Sequence, residues 1–217
     1  MSANVIAVLL SGSGSNLQAI IDASERGEIP GRVGVVVSNK ADAYGLARAG
    51  KHGIPAEVVD HRAFGSREEF DARLVEVVRS HKADLVCFAG FMRVVTPVFL
   101  RAFPQRILNI HPALLPSFPG THGPRQALQY GVRFSGCTVH FLDEGVDTGP
   151  VIIQAVVPVY EDDSEESLAA RILKEEHRIY PIAIRLCLEG KLTIAGRRVL
   201  TRETARTPDF SRRNPDV

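Results

Sequence analysis

The chain has 217 residues, 45% of them hydrophobic and 24% charged, a globular composition long enough to bury roughly 70% of the surface its unfolded form exposes. Its 26 Lys and Arg against 25 Asp and Glu leave a formal net charge of +1, so neither nucleic acid nor a membrane surface is an expected partner, and any anionic ligand must be held by local groups. The apolar runs fall far short of the roughly 20 residues that span a bilayer; Cys87, Cys137 and Cys187 lack disulfide or zinc-knuckle spacing, and a first strand-like run without a basic leader makes a cytoplasmic location the expectation.

Strand-like and helix-like stretches alternate through the first half, the order of a parallel sheet with crossover helices. Val5 to Leu10 is all apolar and ends at Ser11-Gly12, and Leu17, Ile20 and Ile21 then recur at helical spacing within 16–26. Strands are predicted at 33–37, 56–60, 84–89 and 107–110, and helices at 43–52, 67–81 and 97–103. Pro112 to Pro124 has loop chemistry, with a short helix from Gly123 to Tyr130. Strands at 135–142 and 151–160 flank the turn Asp143 to Pro150. Asp163-Ser164-Glu165-Glu166 has the form of a capping box opening a helix to about Leu188, with a bend expected at Pro181. Residues 192–195 and 198–201 make a terminal hairpin about Gly196. The expected architecture is an open, mostly parallel, doubly wound α/β sheet of about seven strands with a C-terminal hairpin, one domain over 1–202 and a flexible tail over 203–217.

Three places carry chemistry. Ser11-Gly12-Ser13-Gly14-Ser15-Asn16 joins the first strand to the first helix, where unpaired backbone N–H groups and small side chains suit a phosphate. Leu17 stands where a dinucleotide fingerprint needs its third glycine, and Ser38-Asn39-Lys40 supplies no ribose-binding acid, which disfavours a nicotinamide cofactor. Asn109 and His111, two apart on a strand, face the same way, and both can donate to a developing oxyanion if His111 is protonated. Asp147, in a glycine-containing turn, is the carboxylate that raises the pKa of a nearby imidazole. Asp143 and Glu144 read as turn or solvated acids, Glu176 as a surface acid, and Cys87 and Cys137 as packed thiols. His52, His61, His81, His122, His140 and His177 have no zinc-ligand spacing, and no metal is expected.

Ser11-Gly-Ser-Gly-Ser-Asn-Leu-Gln18, Ser38-Asn-Lys40, Phe88-Ala-Gly-Phe-Met-Arg93, Asn109-Ile-His-Pro-Ala-Leu-Leu-Pro116 and Asp147-Thr-Gly-Pro-Val-Ile-Ile-Gln154 resemble the motifs of the glycinamide ribonucleotide formyltransferase family, over nearly the whole chain to about Gly190. The resemblance implies formyl transfer from 10-formyltetrahydrofolate, as cosubstrate, to the amine of 5-phosphoribosylglycinamide in purine synthesis, without a metal. It implies catalytic roles for Asn109, His111 and Asp147 and acceptor contacts at Gly14, Ser15, Asn16 and Glu176. It implies folate contacts at Arg67, Met92, Arg93, Val94, Val95, Asn109, Asp143, Glu144, Gly145, Val146 and Asp147. Leu173, three residues before Glu176, stands where some relatives present a polar side chain. A monomer or homodimer acting on small molecules is expected. Two other readings are a formyltetrahydrofolate hydrolase, with water as acceptor, and a nucleotide-binding module without catalysis, which leaves Asn109, His111 and Asp147 unexplained.

Overall fold

The structure is a computed structural model and describes residues 4–202; the tail expected over 203–217 lies outside the described residues. Asn4–Leu10 forms β1, whose last five residues are all buried, as a strand covered on both faces requires. It pairs in parallel with β2 (Gly31–Ser38) on one side and β4 (Leu85–Phe88) on the other. Beyond β2 lies β3 (Ala56–Val58), and beyond β4 lies β5 (Ile107–His111), both parallel to their neighbours. The direction reverses at β6 (Phe134–Phe141) and again at β7 (Val151–Pro158).

The terminal hairpin of β8 (Leu192–Ala195) and β9 (Arg198–Thr201) joins the same sheet through a parallel bridge between Val151 and Arg198. Among the described residues the sheet therefore has nine strands, in the order β3-β2-β1-β4-β5-β6-β7-β9-β8. Chain order changes direction between β1 and β4, and ligands of such sheets bind in the crevice beyond the carboxyl ends of strands at that switch.

Alternation along the strands divides the core into two layers. Ile6, Val8, Leu10, Cys87, Leu108 and Ile110 face α1 (Ser15–Glu25) and α6 (Glu165–Leu188), while Ala7, Leu9, Val86, Phe88 and Ile107 face α3 (Arg67–Ser80) and α4 (Pro97–Ala102). The remaining helices among the described residues are α2 (Tyr44–Lys51), α5 (Gly123–Tyr130) and one 3₁₀ turn at His61–Ala63, which the sequence did not signal. Tyr180 on α6 is fully buried, and its hydroxyl donates to the carbonyls of Phe88 and Leu108, tying that helix to β4 and β5.

The start of α6 departs from expectation. Ser164 is the cap and exchanges hydrogen bonds with Ser167, whereas Asp163 is drawn away by Arg171, at 2.7 Å, and by the Tyr160 amide. The helix runs as one element through Pro181, where a bend is expected.

Candidate active site

The turn after β1 is shaped by close packing of backbone. Gly14 has φ of 69°, and a Cβ there would lie 2.6 Å from Gly45 Cα on α2, so glycine is required on both grounds. No side chain caps α1, which leaves its first amides open to an anion. Arg48 donates to the Ser13 carbonyl at 2.9 Å. A cavity of about 320 Å³ opens beside Ser15, with Gln18, Asp22, Arg48 and His177 among its lining.

Asn16 and Glu176 meet behind this turn. Glu176 is only 6% exposed, which overturns its reading as a surface acid. Its carboxylate accepts from Asn16 Nδ2 at 2.7 Å, and Asn16 Oδ1 is buried without a partner. Burial pushes the Glu176 carboxyl above the usual range, and the Asn16 amide offsets this only in part.

The expected trio assembles at the end of β5. His111, 4% exposed, places Nδ1 3.3 Å from Asp147 Oδ2, and Asn109 Nδ2 lies 3.4 Å from Asp147 Oδ1. Asp147 reaches inward from a left-handed backbone with φ of 55° and also accepts the Gly120 amide at 2.8 Å. That conformation is anchored next door: a Cβ on Gly149 would fall 1.8 Å from the Phe141 carbonyl oxygen. Burial works against the charge on Asp147, but the nearby His140 ring, the hydrogen bond from the Gly120 amide and the His111 ring together outweigh it and hold the carboxyl below its ordinary value.

The surroundings of His111 bear on its charge. Burial outweighs the pull of Asp147 and the Phe118 carbonyl and holds the His111 pKa below the usual imidazole range, which works against the protonated ring that the sequence led us to expect. Both ring nitrogens nevertheless face acceptors, because Nε2 lies 2.8 Å from the Phe118 carbonyl. A neutral imidazole has one N–H and can satisfy only one of them. A second proton, once delivered, finds its partner already in place.

His140 is the member that sequence reasoning left out. Its Nδ1 lies 2.9 Å from the Phe141 carbonyl, and its Nε2 lies 3.1 Å from Asn109 Nδ2. Donation from Nδ1 to that carbonyl leaves Nε2 to accept the Asn109 N–H and fix the direction of the amide. The signal was the register: Asn109 stands directly opposite His140 in the antiparallel pair.

Most of the remaining residues expected to contact folate stand on the loops that follow β4 and β6, the strands on either side of β5. Met92 and Val94 are exposed, Val95 is buried, and Arg93 is half-buried with Nε lacking a partner. Arg67 donates to the Val94 carbonyl at 2.7 Å. Asp143 accepts from the Gly145 amide and the Thr148 hydroxyl, the turn role expected of it, and leaves Glu144, Gly145 and Val146 exposed. Cys87 and Cys137 are buried, and burial pushes both thiols up, as packed thiols require. Among the described residues no helix is long and apolar enough to cross a membrane.

Comparison with known proteins adds a family. The description "Formyl transferase" matches residues 4–184. The phosphoribosylglycinamide formyltransferase of Escherichia coli K12 is 49% identical over 187 residues, covering 86% of this chain and 88% of that protein. The trifunctional purine biosynthetic protein adenosine-3 of Drosophila melanogaster is 50% identical over 192 residues, but the chain spans only 14% of its length. Among solved structures, glycinamide ribonucleotide transformylase 1 of Symbiobacterium toebii superposes with a TM-score of 0.92 at 58% identity, covering 93% of this chain and 95% of that one.

Proposed function

The chain belongs to the formyl transferase family, and we propose that Asn109, His111 and Asp147 carry its reaction, the transfer of a formyl group from 10-formyltetrahydrofolate to the amine of 5-phosphoribosylglycinamide in purine synthesis. The observation that carries the assignment is the convergence of an amide and an imidazole on one carboxylate, with Asn109 Nδ2 and His111 Nδ1 3.4 and 3.3 Å from Asp147. Identity of about 49% along 88% of a formyltransferase of the same size supports the reaction itself.

The chemistry follows from the atoms that move. The amine attacks the formyl carbon, a C–N bond forms, and the carbonyl oxygen becomes an oxyanion that Asn109 Nδ2–H stabilises by giving up its long 3.4 Å contact with Asp147. The attacking nitrogen, now cationic, releases a proton that neutral His111 takes up directly or through water. Asp147 stabilises the imidazolium so formed. Collapse of the intermediate breaks the bond to the folate nitrogen, which receives that proton from His111, and tetrahydrofolate leaves. Nε2 is engaged by the Phe118 carbonyl, so donation from that nitrogen requires the Pro112–Pro124 loop to yield the contact.

The acceptor phosphate is assigned to the open amides at Gly14, Ser15 and Asn16. The unpartnered Asn16 Oδ1 and Glu176 suit hydroxyl or amine donors of the same molecule. Met92 to Val95 and Asp143 to Asp147 form the folate walls, and no metal takes part. Incubation with 10-formyltetrahydrofolate, with and without phosphoribosylglycinamide, tests the reading through tetrahydrofolate release. Release that requires the acceptor is expected. Release without it indicates a hydrolase, and no release in either case indicates a binding module.

A further inference from the structure

The loop Gly90 to Thr96 has no regular structure yet must hold Met92 and Val94 against a ligand. Its entry is fixed by Ser11, whose amide donates to the Gly90 carbonyl and whose hydroxyl accepts the Met92 amide at 2.8 Å. Its exit is fixed from α3. Arg67 donates to the Val94 carbonyl, and Asp71, one helical turn later, accepts the Thr96 amide at 2.5 Å. Thr96 caps α4, accepting the Val98 amide through its hydroxyl, so Asp71 also sets where that helix begins.

Asp71 is 1% exposed and sits beside Phe70, Leu74 and Val78, the apolar face of α3. A carboxylate in such surroundings is costly to bury, and an apolar side chain would pack there without that cost. Burial raises its pKa, opposed mainly by the two Thr96 hydrogen bonds and more weakly by the Arg67 charge. The groups that oppose burial thus belong to the loop exit and to the arginine that grips the same loop. Val95, between the two anchor points, is buried, while Met92 and Val94 are 62% and 52% exposed. The anchored backbone turns these two side chains outward.

We propose that Asp71 is a positioning residue for the formyl donor: by holding the Thr96 amide it sets the Met92–Val95 wall, and so governs donor affinity without touching the reacting atoms. The inference rests on the assignment of that wall to folate. In Asp71→Ala the KM for 10-formyltetrahydrofolate rises about tenfold, the factor carried by one hydrogen bond to a charged group, while kcat and the phosphoribosylglycinamide KM stay within about twofold. Asp71→Asn keeps an acceptor for the Thr96 amide and restores the donor KM to within about threefold. If Asp71→Ala does not fold, Asp71→Leu fills the site without an acceptor and is read in the same way. An unchanged donor KM overturns the proposal, as does a loss spread equally over kcat and both KM values. Val94→Asp separates the two readings: if it leaves donor KM unchanged, the folate assignment of the wall has failed and the inference goes with it. If it raises donor KM while the Asp71 variants do not, only the positioning role has failed.

Discussion

Asp147→Asn isolates the charge of the trio from its shape. Asparagine tolerates the left-handed backbone at this position, and its Oδ1 still accepts the Gly120 amide, so the fold is expected to persist. At the 3.3 Å separation of His111 Nδ1 and Asp147 Oδ2, attraction to an imidazolium is worth about 1 kcal/mol in water and about 5 kcal/mol at an effective dielectric constant near 20. The side chains are 4% and 13% exposed, which places the pair toward the second figure after part of it is offset by desolvation. A transition-state loss of about 3–4 kcal/mol lowers kcat by about a hundred- to thousandfold. The assay is tetrahydrofolate release at saturating concentrations of both substrates, with thermal unfolding followed in parallel. A folded Asp147→Asn enzyme that keeps a third or more of wild-type kcat refutes the claim that this carboxylate stabilises charge on His111.

Asn109→Ala removes one oxyanion donor and is expected to cost about a hundred- to thousandfold in kcat with little change in melting temperature; near-normal turnover would contradict its role. Glu176→Gln keeps an acceptor for Asn16 and is expected to raise the acceptor KM about tenfold or more while leaving donor KM within about twofold, as steady-state kinetics will show. Gly149→Ala drives a Cβ into the Phe141 carbonyl and is expected to cost about 1–3 kcal/mol in urea unfolding, with kcat falling as Asp147 shifts. His111 and His177 are both held below the usual imidazole range, chiefly by burial. In the window between the folded and unfolded pKa values the unfolded chain binds more protons, so these groups stabilise the fold above about pH 6.5 and that contribution is lost as pH falls through the depressed values. Urea titrations at pH 7.5 and 5.5 are expected to show this loss, and His111→Gln to reduce it.

The architecture was legible wherever a strand was covered on both faces, because Val5 to Leu10 and Leu85 to Phe88 can be nothing but apolar. Asn109 and His111 were legible for the opposite reason, as polar residues on such a strand. Glu176 was not: it stands in Lys174-Glu175-Glu176-His177-Arg178, a run that reads as solvated, and only the seating of α6 against Asn16 shows which of these charges points inward. The charge state of His111 was equally hidden, since it depends on how deeply the Pro112–Pro124 loop covers the ring. His140 left a trace that needed the β5–β6 register to interpret. The cap of α6 was misplaced because Asp163 and Ser164 are both good caps, and the distant Arg171 decides between them.

The sheet keeps its two layers of helices apart everywhere except at its rim. Asn16 and Glu176 come from α1 and α6, whereas Arg67, Asp71 and Thr96 come from the opposite layer. On the proposed assignment of the two ligands, a repacking event in one layer disturbs one ligand's contacts first, because the single thickness of hydrogen-bonded sheet stands between it and the other. The strand ends that both layers border are the place where a substitution has to satisfy the two at once.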